Sequence, residues 1–385
     1  MLINPQVSSL TKSATLKITS LTKQIKKQGK DVVNFAAGEP DFDTPDFIKN
    51  AAKEAIDRGF TKYTPSSGDN DLKKAIAGKL KKQNNIPVES ENIIVTAGAK
   101  YAIFISLLAL ASWEDEILIP LPYWVSYPEM VKLTSGKAKF IELPEENNFK
   151  LTPELLQKSI TAKTKALIFN YPSNPTGTTY SKKELLAISE VIKDAKISVI
   201  SDEIYEALVY DKKKHTSLAC LNSMQDYTIT VGGFSKSFSM TGWRVGYLAA
   251  NNNFIKEVSK IVGHTTSCPC SISQAAAMAA LGEKEWQGQI SARFEKRRNL
   301  LFKGLDKISK IRPLKPDGTF YMFSDIRETG LNSFDFCSRL LEEELVSCIP
   351  ASSFGKEGFI RISFSASSEQ IKKGIDRIDK FVKQL

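Results

Sequence analysis

The chain has 385 residues, of which 42% are hydrophobic and 25% charged, a composition that excludes disordered and collagen-like proteins and predicts two globular domains. The net charge is +10, but the 53 basic residues are spread along the chain beside 43 acidic ones, so we expect a solvated lysine-rich surface and no nucleic-acid partner. The most apolar helical stretch, YAIFISLLALA from Tyr101, is far shorter than the roughly 20 residues that span a bilayer, which predicts no membrane segment.

The first 30 residues hold six lysines and no acidic residue, a composition that also suits a transit peptide. The stretch has no arginine, however, and one face of the predicted helix carries Ile18, Leu21 and Ile25. Gly29 is the expected end of this helix. We therefore expect a helix that belongs to the fold.

From residue 90 onward, short β-rich runs alternate with helical patterns. Seven runs are candidate strands: IIVT at 93, EILIP at 116, AKFIEL at 138, KALIFN at 165, ISVISDE at 197, TITVGG at 228 and VGYLAA at 245. Helical segments such as 101–112 separate most of them, which is typical of βαβ units in a mainly parallel sheet covered by helices on both faces. Because the link FSKSFSMTGWR is too short for a crossover helix, the last strand is predicted to be antiparallel.

The pattern changes after residue 270. A long helical region containing WQGQISARFEKRRNLLFKGLDKI leads to strands near GTFYMF and FIRISFS and to a closing helix, SEQIKKGIDRIDKFVKQL. We therefore predict an α/β fold with a large domain at 46–285 and a small α+β domain built from both chain ends, 1–45 and 286–385.

Cysteine and histidine usage limits the chemistry. The five cysteines are odd in number, and the one close pair, Cys268 and Cys270, has a spacing that matches no zinc motif. This favours reduced thiols in a cytoplasmic protein. The two histidines, His215 and His264, lie in unrelated contexts, which argues against a histidine-based metal site and against a Ser-His-Asp triad.

Polar residues follow several predicted strands, at the edge where open parallel sheets bind ligands. Each alone is more often a surface residue, a helix cap or a turn. Together, an amide, a carboxylate, a phenol, a lysine, an arginine and the NH groups that open a helix would surround a planar phosphorylated cofactor. These candidates are Ala99, Lys100, Asn174, Asp202, Tyr205, Lys236 and Arg244.

The motifs NPTG, SDEIYE, SKSFSMTGWRVGY and FIRISFS occur in this order and resemble those of the fold-type I pyridoxal phosphate (PLP) aminotransferases. AAGEPDFDTP, YTPSSGDNDLK and PLPYWVSYPEM narrow the resemblance to the bacterial-type (subgroup 1b) aspartate aminotransferases, and it extends from about Ser13 to the C-terminus. The resemblance implies the PLP-dependent transferase fold of type I, with a seven-stranded, mostly parallel sheet and a small domain from both termini. It also implies a homodimer with shared sites that moves the amino group of aspartate to 2-oxoglutarate, giving oxaloacetate and glutamate.

The resemblance assigns the cofactor contacts. Lys236 would hold PLP as a Schiff base and then shuttle the proton between the substrate's α-carbon and the cofactor. Asp202 would keep the pyridine nitrogen protonated, and Tyr205 and Asn174 would hydrogen-bond the phenolic oxygen. Arg244 would bind the phosphate.

Three further cofactor contacts follow from the same resemblance. The backbone of Ala99 and Lys100 would also bind the phosphate, and Tyr63 would reach the phosphate of the neighbouring subunit. Trp124 would stack on the ring, unless it is a core tryptophan. Gly233 stands where other subgroups have a phosphate-binding serine, so the phosphate would depend more on backbone and arginine.

Substrate recognition is assigned in the same way. Arg361 would bind the α-carboxylate, and Gly38 would let backbone approach it, unless it is a simple turn glycine. No arginine can be identified from the sequence as the partner of the substrate's distal carboxylate, so Lys100 is the candidate. The alternative interpretation is that Lys100 only extends to solvent from the start of a helix. Ser13 and Thr15 would close over the same end of the substrate.

Three alternatives to a strict aspartate aminotransferase are open at this point. The enzyme would also accept prephenate or aromatic amino acids, as some subgroup relatives do. PLP also supports lyases and decarboxylases, although the motifs around Trp124 and Arg361 favour transamination. A regulator that uses this fold as an effector sensor needs a DNA-binding domain ahead of it, and we expect no room for one before residue 13.

Overall fold

The structure is a computed structural model that describes residues 3–11, 14–283 and 285–385. Its α-helices are α1 (Pro5–Ser8), α2 (Ala14–Lys27), α3 (Asp46–Asp57), α4 (Asn70–Asn84), α5 (Ala99–Leu110), α6 (Ser126–Leu133), α7 (Pro153–Ser159), α8 (Lys182–Ala195), α9 (Asn252–Thr265), α10 (Ser271–Gly282), α11 (Trp286–Leu305), α12 (Ser333–Glu344) and α13 (Ser368–Val382). Its strands are β1 (Val33–Asn34), β2 (Ile93–Thr96), β3 (Glu116–Leu121), β4 (Lys137–Glu142), β5 (Thr164–Asn170), β6 (Ser198–Asp202), β7 (Thr228–Gly233), β8 (Gly246–Ala249), β9 (Arg312–Leu314), β10 (Tyr321–Asp325), β11 (Val346–Ser347), β12 (Ile349–Pro350) and β13 (Phe359–Ser363). In the described part of the chain, no helix combines the length and apolarity needed to cross a bilayer.

Seven strands form one large sheet in the order β2-β8-β7-β6-β5-β3-β4. Neighbouring strands are parallel except at β8, which pairs antiparallel with both β2 and β7. The sequence predicted these seven strands and the antiparallel direction of the last, and both predictions are confirmed.

Helices cover both faces of this sheet, and its inner strands are largely buried, whereas the edge strand β4 is partly exposed. Strand β2 shows the two sides. Ile93 and Val95 pack in one buried cluster with Ile48 of α3, whereas Ile94, which points the other way, packs in a second cluster with Ile103 of α5. Side chains that alternate along a strand thus belong to two separate hydrophobic layers, one on each face of the sheet.

A smaller antiparallel sheet has the order β12-β13-β10-β9, and the short strands β1 and β11 pair in parallel beside it. The pairing of Val33 with Val346 joins the N-terminal segment to the C-terminal part of the chain. Helices begin at Asp46 and at Trp286, but the division into domains at 46–285 and at 1–45 with 286–385 stays a prediction.

The crossovers bring the carboxyl ends of the parallel strands to one edge of the large sheet. Asp202 ends β6, and Lys236 follows β7 by three residues. Because β8 runs in the opposite direction, its first residues start at the same edge, which places Arg244 there as well. The fold therefore gathers residues that are far apart in sequence at one end of the sheet.

Candidate active site

A cavity of about 440 Å³ lies at this edge of the large sheet. Ten of the residues singled out from the sequence line it: Gly38, Ala99, Lys100, Trp124, Asn174, Asp202, Tyr205, Lys236, Arg244 and Arg361. Tyr63 does not line the cavity of its own chain.

Lys236 presents its amine to the cavity from the loop after β7. Its Nζ donates a hydrogen bond of 2.6 Å to the carbonyl oxygen of Gly38. Burial lowers the pKa of Lys236 to about 8, although the carboxylate of Glu39 acts in the opposite direction. An amine that loses its proton near pH 8 is a nucleophile and a base under ordinary conditions.

Asp202 offers a buried carboxylate. Its Oδ2 accepts a hydrogen bond of 2.7 Å from the hydroxyl of Tyr127, and its Oδ1 accepts one of 3.2 Å from the NH of Ile204. Burial raises the pKa of Asp202 to about 6, against the effect of the Tyr127 hydrogen bond. Within the described residues, no cation forms an ion pair with this carboxylate, so a ligand with a protonated nitrogen would be a favourable partner.

Arg361 is buried with 3% of its surface exposed. Its Nη1 donates to Oδ1 of Asn174 at 3.0 Å and its Nη2 to the carbonyl oxygen of Ala36 at 3.2 Å. Its Nε is buried and has no partner among the described atoms. The guanidinium is therefore held by neutral acceptors and keeps unused donors.

The other two buried arginines of the described chain differ from Arg361, because each is paired with a carboxylate. Arg297 forms two hydrogen bonds with the carboxylate of Asp41, and Arg298 forms two with that of Asp211. Arg361 has no such carboxylate in the part of the chain that the structure describes. Because a buried charge is costly unless it is paired, Arg361 suits an anionic ligand.

Asn174 and Tyr205 are placed beside these charges. The amide oxygen of Asn174 accepts from Arg361, which leaves its amide nitrogen to donate to a ligand. Tyr205 is buried, and its hydroxyl oxygen lies 3.1 Å from that of Tyr321. Both side chains can donate a hydrogen bond to an oxygen atom in the cavity.

Arg244 and the start of α5 form an anion-binding corner. Gly98 precedes α5 with a φ of 85°, and a Cβ there would lie 2.6 Å from Nη2 of Arg244. Glycine therefore lets the guanidinium approach the helix N-terminus, where Ala99 and Lys100 contribute backbone NH groups without intrahelical partners. A cation beside a helix N-terminus is a favourable phosphate site.

Gly233, the departure from the serine of other subgroups, lies in a crowded place. A Cβ at this residue would be 3.1 Å from Cδ1 of Ile204 and 3.2 Å from Cα of Gly246. These contacts are tight, so the close approach of β7 and β8 favours glycine here.

Lys100 and Trp124 contact each other at the cavity wall. The Nζ of Lys100 lies 4.8 Å from the centroid of the indole ring, a cation–π contact. Burial and the neighbouring charge of Arg244 lower the pKa of Lys100. Of the hydroxyl residues expected to close over this end, Ser13 lies outside the described residues, and only the helical backbone of Thr15 is described.

Tyr63 is 88% exposed, yet its loop is fixed to α10. The hydroxyl of Ser271 donates to the carbonyl oxygen of Phe60 at 2.8 Å, and Nε2 of Gln274 donates to Oγ1 of Thr64 at 3.0 Å. The ring is thus held away from its own chain by an anchored loop.

Eleven further residues line the cavity and were not singled out from the sequence, among them Glu39, Tyr127, Asn170 and Tyr321. Tyr127 binds Asp202, Asn170 donates to the Asp202 carbonyl oxygen at 2.9 Å, and Glu39 accepts from the hydroxyl of Thr241 at 2.8 Å. Glu39 lies inside the motif AAGEPDFDTP and Tyr127 inside PLPYWVSYPEM, so the family resemblance carried by these motifs was the signal that could have identified them. Asn170 ends a predicted strand, and Tyr321 had no signal beyond its place in one.

The residues present fit PLP. The cavity is lined by four cationic side chains, Lys100, Lys236, Arg244 and Arg361, against two carboxylates, Glu39 and Asp202, an excess that suits a phosphorylated cofactor and a carboxylate substrate. Lys236 supplies the amine for the cofactor carbonyl, Asp202 an unpaired buried carboxylate for the ring nitrogen, and the α5 N-terminus with Arg244 a phosphate site.

Comparison with known proteins agrees with this chemistry. The family model described as aminotransferase class I and II matches residues 30–378. The chain is 44% identical to the aspartate aminotransferase of Bacillus subtilis (strain 168) over 100% of both chains. It is 43% identical to the probable aspartate/prephenate aminotransferase of Rickettsia conorii (strain ATCC VR-613 / Malish 7), over 99% of this chain and 98% of that one.

A solved structure shows the same fold. The aspartate aminotransferase from Thermus thermophilus with maleate matches with a TM-score of 0.95 and 35% identity, over 99% of both chains. These similarities confirm the family that the sequence motifs predicted, and they favour an aminotransferase over the lyase and regulator alternatives. The chain therefore belongs to the class I and II aminotransferases and is a PLP-dependent enzyme.

Proposed function

We propose that this enzyme is an aspartate aminotransferase, which transfers the amino group of L-aspartate to 2-oxoglutarate by a ping-pong mechanism. The observation that carries the proposal is the buried guanidinium of Arg361, unpaired with any carboxylate of the described chain, in the same cavity as the amine of Lys236 and the carboxylate of Asp202. A carboxylate on the substrate would complete that site, and a second cation, Lys100, suits a substrate with two carboxylates.

When bound, PLP supplies an electrophilic carbonyl carbon and a ring that accepts electrons. Lys236 would hold PLP through Nζ, and the same nitrogen would take the proton from the α-carbon of the amino acid. The carboxylate of Asp202 would keep the ring nitrogen protonated. Tyr205 and Asn174 would donate hydrogen bonds to the phenolic oxygen and stabilise negative charge there.

Arg361 and Lys100 orient the substrate. Arg361 binds the α-carboxylate with its planar donors, and Gly38 lets the backbone approach the same carboxylate. Lys100 binds the distal carboxylate, held in position by its contact with Trp124. Trp124 would cover the ring of the cofactor, and Arg244 with the NH groups of Ala99 and Lys100 would bind its phosphate.

We further propose a homodimer in the cytoplasm. The support for the dimer is Tyr63, an aromatic side chain that an anchored loop holds away from its own cavity. The support for the compartment is that all five cysteines are free thiols, as is usual in a reducing environment.

The proposed activity is tested with purified enzyme and added PLP. Aspartate and 2-oxoglutarate together are expected to give oxaloacetate, measured by coupling to malate dehydrogenase. Because the Rickettsia relative is named for prephenate as well, prephenate is compared with 2-oxoglutarate as the amino acceptor for aspartate in the same assay. Phenylalanine is compared with aspartate as the amino donor to 2-oxoglutarate by measuring glutamate. Consumption of aspartate that needs no 2-oxo acid would contradict the proposal.

Mixing two inactive variants tests the shared site. Lys236→Ala chains mixed with Tyr63→Ala chains are expected to regain activity, because each hybrid dimer has one site with both side chains intact. Random exchange makes about a quarter of all sites intact. The measurement is turnover before and after subunit exchange, and it requires that Tyr63→Ala alone be substantially impaired.

A matched mixture serves as the control. Lys236 and Arg244 line the cavity of one chain, so Lys236→Ala mixed with Arg244→Ala leaves every hybrid site defective and is expected to regain nothing. Absence of recovery with Tyr63→Ala, once exchange of subunits is verified by mass, would argue against a contribution of Tyr63 to the partner's site.

A further inference from the structure

Tyr321 connects the two sides of the cavity. The residue is buried, and its hydroxyl oxygen lies 3.1 Å from the hydroxyl oxygen of Tyr205. Its ring lies under the guanidinium of Arg361, with 4.1 Å from the ring centroid to Cζ, and Phe354 contacts the same guanidinium at 5.1 Å. One side chain thus touches both the proposed partner of the cofactor's phenolic oxygen and the proposed partner of the substrate's carboxylate.

The small sheet fixes this placement. Tyr321 opens β10, where it pairs with Ser363, and Phe323 pairs with Arg361 of β13. Residues two apart on a strand share a face, so Tyr321 is the diagonal neighbour of Arg361, within reach of a long side chain. A backbone NH bond to Oγ1 of Thr319 at 3.1 Å holds the start of the strand.

The direction of the hydrogen bond between the two hydroxyls follows from the proposed function. Tyr205 has one proton to donate and would direct it to the phenolic oxygen of the cofactor, so its oxygen is left to accept from Tyr321. Burial raises the pKa of Tyr321, and the positive charge of Arg361 opposes that rise, whereas burial raises the pKa of Tyr205 well above its usual value. Of the two hydroxyls, that of Tyr321 is therefore the better donor. Tyr205 is the hydroxyl's partner within the residues the structure describes.

We propose that Tyr321 is a positioning residue, whose hydroxyl donates to Tyr205 and orients Tyr205 toward the cofactor, while its ring braces Arg361 for carboxylate binding. The inference rests on the proposed function. It assigns two tasks to one side chain. One substitution can remove the hydroxyl alone, and a second can remove the hydroxyl and the ring together.

Tyr321→Phe removes the hydroxyl and keeps the ring. Donation through Tyr205 stabilises the phenolic oxygen as an anion and so lowers the pH at which the lysine-bound cofactor loses its proton. We expect the midpoint of the visible absorbance change to rise by about 0.4 to 1 pH unit. The dissociation constant of maleate, a dicarboxylate without an amine, is expected to stay within twofold, since the ring still supports Arg361.

Tyr321→Leu removes the ring as well. The midpoint is expected to shift as in Tyr321→Phe, and the dissociation constant of maleate is expected to rise by about 2- to 30-fold because the cation–π contact is lost. Both quantities are read by absorbance titration, so neither depends on turnover.

Tyr210 provides a matched control. It is another buried tyrosine, its hydroxyl donates to the carbonyl oxygen of Thr319, and its ring lies 4.9 Å from Cζ of Arg298. It does not line the cavity, so Tyr210→Phe is expected to leave both the midpoint and the maleate affinity unchanged.

The double variant decides whether Tyr321 acts through Tyr205. In a Tyr205→Phe background, adding Tyr321→Phe is expected to cause no further shift of the midpoint. An unchanged midpoint in the single variant, or an equal shift in the Tyr205→Phe background, would overturn the inference and leave the proposed function standing. A wild-type enzyme that shows no visible band after addition of PLP would overturn both.

Discussion

Replacing Lys236 with alanine is expected to lower kcat for aspartate by about 10⁴-fold and to abolish the covalent attachment of PLP. The reason is that one nitrogen atom has two tasks, attachment of the cofactor and transfer of the α-proton. Burial lowers its pKa to about 8, which suits both. The measurement is turnover of aspartate together with the visible absorbance of the holoenzyme.

The attachment site is tested directly by reduction of the PLP-loaded enzyme with borohydride, followed by peptide mapping. Two lysines, Lys100 and Lys236, line the cavity, so Lys100 is the alternative attachment site for the reduced cofactor, which serves as the tag. Lys100→Ala is expected to keep the tag on the Lys236 peptide. A tag on Lys100, or on any other lysine of wild-type enzyme, would show that the assignment of Lys236 is wrong.

The large sheet was predictable because its signals are local. Most of its strands are short buried apolar runs bounded by polar or glycine residues, and the antiparallel direction of β8 followed from the length of the link before it. Boundaries were less accurate. The helix expected at 101–112 begins at Ala99, because Gly98, with its positive φ, starts the turn two residues earlier.

The short strands of the smaller sheets could not be predicted in the same way. Strands β1, β11 and β12 have two residues each, too few to show an alternating pattern. They exist because they pair with other segments of the chain, as Val33 does with Val346. Tertiary contacts, rather than local propensity, define them.

The same distinction explains the cavity. Polar residues after the predicted strands, such as Asp202 and Lys236, were found because the sheet topology brings such positions together, whereas Trp124 and Arg361 were assigned through the family resemblance. Tyr321 and Asn170 were missed because their relevance lies in contacts with Tyr205, Arg361 and Asp202, which are 32 or more positions away in the chain. No spacing in the sequence encodes those contacts.

Lys100→Ala is expected to lower kcat/KM for aspartate by about 10- to 150-fold and to change that for phenylalanine little. A charge-assisted hydrogen bond to a carboxylate contributes roughly 1.5 to 3 kcal/mol, which corresponds to that range. The reason for choosing Lys100 is its position in the cavity, where its ammonium contacts the ring of Trp124 and has no ion pair within the described residues.

Lys100→Met separates charge from packing. Methionine keeps an unbranched stem against Trp124 but has no ammonium, so it is expected to lose as much activity toward aspartate as alanine does. Lys100 also contributes a backbone NH at the start of α5, and neither substitution removes that NH. The comparison with phenylalanine controls for general damage to the phosphate site, since such damage would lower kcat/KM for both substrates. If aspartate and phenylalanine decline by the same factor in both variants, Lys100 supports the cofactor site and does not bind the distal carboxylate.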